Sequence, residues 1–108
     1  MTKAIIYKNS QGEIVGFKTE GHAGYAEEGS DIVCAAVSML VINTINSIDL
    51  FTDTKCEVLA DEENAVIKLA VISNESNETQ VLLKALELGL TQTSAGNPDY
   101  LSISIEEV

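Results

Sequence analysis

Apolar and polar positions change period several times along the 108 residues, and each change marks an element. Lys3 to Lys8 reads as a strand. Asn9-Ser10-Gln11-Gly12 has turn chemistry, and Glu13 to Thr19 reads as a second strand with Val15, Phe17 and Thr19 on one face. The two make a hairpin. From Glu20 to Gly29 there is no periodicity but three glycines, Gly21, Gly24 and Gly29, which predicts a loop expected to be mobile. Ile32 to about Leu50 is too long for one strand and fits a helix, with Ser30 or Asp31 as its cap. Its first three turns are apolar on most sides, so cover is expected from a sheet and from a second subunit.

Lys55 to Ala60 and Ala65 to Ile72 read as strands joined by Asp61-Glu62-Glu63-Asn64. Asn74 to Asn77 offer caps for a second helix running to about Thr91. Its apolar stripe is predicted from Val81, Leu82, Ala85, Leu86 and Leu88, and Gly89 is expected to weaken its end. Asn97-Pro98 breaks the chain. Leu101, Ile103 and Ile105 then alternate with Ser102 and Ser104 in a last strand. The order β-β-α-β-β-α-β, with its hairpins, predicts an α+β fold: one domain, a mainly antiparallel sheet and two helices packed on it.

Composition narrows the function. Seventeen acidic residues against six basic ones give a formal net charge of −11. Such a surface repels phosphate backbones and anionic membranes, which argues against direct nucleic-acid binding, and it attracts basic protein or peptide partners. The apolar run near the N-terminus is too short for a signal peptide. The longest apolar run, Ile32 to Ile42, is interrupted by Ser38 and falls short of the ~20 residues of a membrane span. A cytoplasmic protein with no membrane contact is expected. In a reducing compartment the two cysteines, Cys34 and Cys56, are not expected to form a structural disulfide. Cys56 shares a strand face with Val58 and Ala60 and reads as core.

Cys34 is placed in the first turn of the predicted helix, twelve residues after His22, the only histidine. The attacking species of a cysteine is its thiolate. A helix start offers free N–H groups and partial positive charge that favour an anion, and a nearby imidazole can take and return a proton. The same N–H groups can hold the oxyanion of a tetrahedral intermediate. A catalytic pair is one reading. A buried structural cysteine and a lone surface histidine account for the same spacing. Asp31 either caps the helix or orients His22 as a third member. Ser38, one turn past Cys34, either bonds back to the helix or helps position the thiol or a peptide. A zinc site built from His22, Asp31 and Cys34 has only one thiolate and one imidazole, so no metal and no cofactor is expected.

The run Gly21-His22-Ala23, then Gly29, then Asp31-Ile32-Val33-Cys34-Ala35-Ala36, then Ser38, closely resembles the bacterial ribosomal-processing cysteine protease family, Prp. The chain length and element order suit that family. The resemblance implies a cytoplasmic endopeptidase that removes the N-terminal extension of a large-subunit ribosomal protein. It implies Cys34 as nucleophile, His22 as its partner, Asp31 and Ser38 in support, and a substrate loop containing Gly21, Ala23, Gly24 and Gly29. A homodimer is likewise implied. The alternative function is a non-catalytic ribosome-assembly or ribosomal-protein-binding module on the same fold.

Overall fold

The computed structural model describes residues 1–21 and 28–108, and the side chains of all of these except 28–31. The elements follow the predicted order: β1 (Thr2–Lys8), β2 (Ile14–Glu20), α1 (Glu28–Phe51), β3 (Lys55–Asp61), β4 (Val66–Ser73), α2 (Asn77–Gly96) and β5 (Leu101–Glu107). The strands form one sheet in the order β3-β4-β2-β1-β5. Both hairpins are present, and β2 also pairs antiparallel with β4. The sheet is mixed because β5 lies parallel to β1, with Thr2 opposite Leu101.

The core lies between one sheet face and the two helices. Ala4, Ile6, Ile14, Phe17, Leu69 and Leu101 meet Val33, Val37, Val41 and Ile48 of α1 and Leu83, Leu86 and Leu90 of α2. The α1 positions recur at helical spacing, so one stripe of the helix faces the sheet. The β2 face differs from expectation. The pairing shifts between Tyr7 and Lys8, where Gly16 opposes Tyr7 and Ile14 opposes Lys8. This bulge absorbs Val15, and Ile14 takes the core position in its place. Gln80 of α2 clamps the bulge. Its amide nitrogen donates to the Ile14 carbonyl at 2.8 Å, and its amide oxygen accepts from the Ile14 N–H at 2.9 Å.

The helices differ from prediction at their ends and faces. Helix α1 starts at Glu28, ahead of Ser30 and Asp31, so those two residues lie inside the helix and neither is its cap. Helix α2 begins after Ser76, whose hydroxyl accepts from the Thr79 N–H at 3.2 Å. It runs past Thr91 to Gly96, and the Asn97 side chain donates to the Thr93 carbonyl at 2.9 Å. Gly89 does not end it. A Cβ there would lie 3.2 Å from both methyls of Leu40, so the glycine lets α1 and α2 approach. The buried stripe of α2 is Thr79, Gln80, Leu83, Leu86 and Leu90. Val81, Ala85 and Leu88 are exposed, because the apolar residues of α2 span more of its circumference than the core covers.

By length and composition, Ile32–Phe51 is apolar enough to cross a membrane. The expectation of too short a run counted uninterrupted apolar residues, whereas the helix tolerates Ser38, Asn43, Thr44 and Asn46 within its span. Val33, Val37, Val41 and Ile48 of this segment are buried in the protein core.

Candidate active site

Cys34 is the seventh residue of α1 and therefore sits in its second turn. The free N–H groups of a helix belong to its first four residues, and the dipole effect fades within the first turn. The expectation of a thiol at the helix start thus does not hold: the extra turn from Glu28 moves Cys34 away from those groups. What the helix supplies is direction. Cys34 and Ser38, one turn apart, both face a cavity of about 360 Å3 between α1 and the β3–β4 hairpin. Val37, Ile42 and Ile45 of α1 and Val58, Ala60 and Ile67 of the hairpin give it apolar walls.

Cys34 is half-buried and free, as is Cys56. Gly21, the last residue of the β2 exit, stands against the Cys34 thiol: a Cβ on Gly21 would lie 3.4 Å from Sγ and 3.8 Å from the Thr2 hydroxyl. Its N–H donates to the Ala65 carbonyl at 2.9 Å. Ala65 has a φ of 54°, a left-handed conformation that costs a residue with a Cβ about 1–2 kcal/mol. The hairpin tip is held by Asp61, whose carboxylate accepts from the Asn64 side chain at 2.7 Å and from its N–H at 3.2 Å. The Asn64 side chain, then its backbone, holds the Asp61 carboxyl below the usual carboxylate range.

The sequence-derived residues thus fall into two groups. Gly21, Cys34 and Ser38 meet at one cavity. His22, Ala23 and Gly24 lie outside the described residues. Gly29 and Asp31 belong to α1, but their side chains lie outside the description. Among the described residues no cluster of His, Cys, Asp and Glu has the makings of a metal site. Cys56 packs at the edge of the core and is half-buried, and burial pushes its thiol up from the ordinary value. Sequence reasoning missed the rest of the lining, namely Ile42, Ile45 and Asn46 further along α1 and Asp61, Glu62 and Ala65 at the hairpin tip. The α1 part was accessible by continuing the helical step from Cys34 and Ser38. The hairpin tip had no local signal, since only the pairing of β2 with β4 brings it to Gly21.

A family model described as cysteine protease Prp matches residues 1–102. The ribosomal processing cysteine protease Prp of Staphylococcus aureus (strain Mu50 / ATCC 700699) is 26% identical over 82 residues, covering 76% of this chain and 77% of that protein. The protein of the same name from Bacillus subtilis (strain 168) is 38% identical over 48 residues, covering 44% of this chain and 43% of its own. Among solved structures, the essential ribosomal processing protease Prp from S. aureus in complex with a substrate peptide superposes with a TM-score of 0.92 at 21% identity, over 98% of this chain and all of the other. SMU.848 from Streptococcus mutans superposes with a TM-score of 0.90 at 28% identity, over 100% and 99% of the two chains. The structural likenesses carry the fold, and the match of the family model over nearly the whole length carries the assignment: this chain belongs to the cysteine protease Prp family.

Proposed function

We propose that this cysteine protease removes the N-terminal extension of a large-subunit ribosomal protein in the cytoplasm, with Cys34 as nucleophile and His22 as its proton acceptor and donor. The observation that carries this reading is the seat of Gly21. The residue that directly precedes His22 stands against the Cys34 thiol, at the mouth of a cavity large enough for a substrate side chain. In this mechanism His22 takes the thiol proton, and the thiolate attacks the scissile carbonyl. The tetrahedral intermediate collapses as His22 protonates the leaving amine. Water then attacks the acyl-enzyme with His22 as base and releases the removed segment. Ser38 borders the thiol one turn further along α1 and helps to position the peptide, and Asp31 orients His22. The names of the relatives from S. aureus and B. subtilis support ribosomal-protein processing as the task.

The enzyme acts as a homodimer and off nucleic acid. Support for the dimer comes from the apolar helix surface, where Ile32, Met39 and Phe51 of α1 and Val81 and Leu88 of α2 are all more than half exposed. The net charge of −11 supports a basic protein substrate over a phosphate backbone.

Incubation of the purified protein with the extended ribosomal protein, read by mass spectrometry, should yield one new N-terminus. Cys34→Ala should abolish this product while leaving the thermal melt within a few degrees of the parent. Cleavage by Cys34→Ala at the parent rate would reject the mechanism. Binding of the ribosomal protein by the unsubstituted enzyme without any new N-terminus would favour a non-catalytic binding module.

A further inference from the structure

Strand β2 ends beside the active site, and its last rung comes from a strained residue. Among the described residues, pairing with β1 stops at Lys3–Glu20 and pairing with β4 stops at Glu20–Val66. One backbone bond lies beyond them, from the Gly21 N–H to the Ala65 carbonyl. It is the last hold of the sheet on the chain before His22, whose Cα follows that of Gly21 by about 3.8 Å. The same Gly21 stands against the Cys34 thiol. Where this rung sets Gly21 therefore sets the starting point of His22 relative to Cys34.

In a regular antiparallel pair both the N–H and the carbonyl of Ala65 would face Gly21. Here they part: the carbonyl meets Gly21, whereas the N–H closes the hairpin turn on the Glu62 carbonyl at 3.3 Å. The φ of 54° at Ala65 goes with that division. Such a turn favours glycine at its left-handed position, and a Cβ there lowers the population of that conformation about 5–30-fold. The neighbours must therefore impose it. Asp61 does so from across the turn. Its carboxylate accepts from the N–H and from the side chain of Asn64, the residue that leads into Ala65. Bonds to an ionised acceptor are stronger than neutral ones, so the pair fixes the turn although it lies at the surface. The Ala65 side chain lines the Cys34 cavity, and its methyl comes to 4.0 Å from where Gly21 would carry a Cβ.

We propose that the β3–β4 tip is a clamp on the active site, with Asp61 and Asn64 as positioning residues. They hold Ala65 left-handed, and Ala65 holds Gly21, and with it the origin of His22, beside Cys34. The inference deepens the proposed function and rests on it for the role of His22. The bonds between Asp61 and Asn64 stay within the tip, so their effect reaches the site through the backbone of Ala65. A nucleophile and its base must be held in register for proton transfer, and a small displacement of either is costly to the rate.

The clamp is tested by comparing the parent with Asp61→Ala and with Asp61→Ala combined with Ala65→Gly, since glycine takes the left-handed turn without the penalty of a Cβ. Cleavage of the extended ribosomal protein is followed together with amide hydrogen exchange at Gly21 by NMR. Asp61→Ala should lower kcat about fivefold or more and speed exchange at Gly21 by a similar factor. Adding Ala65→Gly should bring both back to within about twofold of the parent. Loss of the Asp61 charge alone would raise KM for a basic substrate equally in both variants, so recovery of kcat separates positioning from charge. A tip that served stability alone would lower the melting temperature and leave kcat at the parent value. Unchanged kcat in Asp61→Ala, or a loss that Ala65→Gly does not restore, overturns the clamp and leaves the proposed function standing. Absence of cleavage by the parent overturns the proposed function. Exchange at Gly21 then decides the clamp by itself, and equal rates in parent and Asp61→Ala overturn it.

Discussion

Gly16 shows how one missing side chain sets the spacing of two strands. It pairs with Tyr7 on one side and Ala70 on the other, and a Cβ there would lie 2.5 Å from the Leu69 carbonyl oxygen. The colliding atom is backbone and cannot swing aside, so Gly16→Ala must push β2 off β4. We expect a loss of about 2 kcal/mol or more, read as a lower midpoint in denaturant unfolding. Gly12→Ala is the control. Gly12 has a φ of 79° with nothing within 4 Å of the added carbon, so only the left-handed backbone is penalised, at about 1–2 kcal/mol. At this scale the site was largely legible. Cys34 and Ser38 are four residues apart on a helix, and that spacing alone placed them on one face. The position of Cys34 within α1 was not legible, because Ser30 and Asp31 offered caps as good as any and the helix passes through both.

At the scale of elements, the bulge in β2 and the start of α2 are one structure. Gln80 is 8% exposed and spends both amide groups on Ile14. Gln80→Leu keeps the volume but leaves the Ile14 N–H and carbonyl without that partner. Each buried polar group left unmatched costs about 1–3 kcal/mol, so unfolding free energy should fall by about 2–4 kcal/mol with the far-UV spectrum retained. The seven elements were readable because hairpin turns and helical period are local signals. The bulge was not, since Val15, Phe17 and Thr19 alternate cleanly in sequence and only the pairing with β1 shows that Ile14 displaces Val15. The face of α2 failed for a related reason. Val81, Ala85 and Leu88 are as apolar as Leu83, Leu86 and Leu90, and the contact with α1 and the sheet decides which set is covered. Gly89, by composition a weak point of the helix, is instead where Leu40 packs.

At the scale of the molecule, charge dominates. With a formal charge of −11, approach of a basic substrate should be accelerated at low salt and screened at high salt, where the Debye length shrinks from about 10 Å at 0.1 M to about 3 Å at 1 M. Raising salt across that range should lower kcat/KM for the basic precursor. A junction peptide whose basic residues are replaced by glutamine should show a nearly flat profile, and equal slopes for both would refute steering. Charge was plain from composition, whereas the strand order was not, because no local feature says that β5 lies along β1. That parallel pairing has a consequence for how the protein is made. Thr2 is beside Leu101 and Lys8 beside Glu107, so the contact joins the strand of this sheet that comes first in chain order to the one that comes last. The hairpin of β1 and β2 can form early from neighbouring residues, but β1 keeps one unpaired edge until translation has passed both helices. Contacts of such long sequence separation slow folding and prolong the exposure of a strand edge. Capture of β1 by β5 is therefore the late event of folding, and a nascent chain stalled before Leu101 carries an open edge for other strands to join.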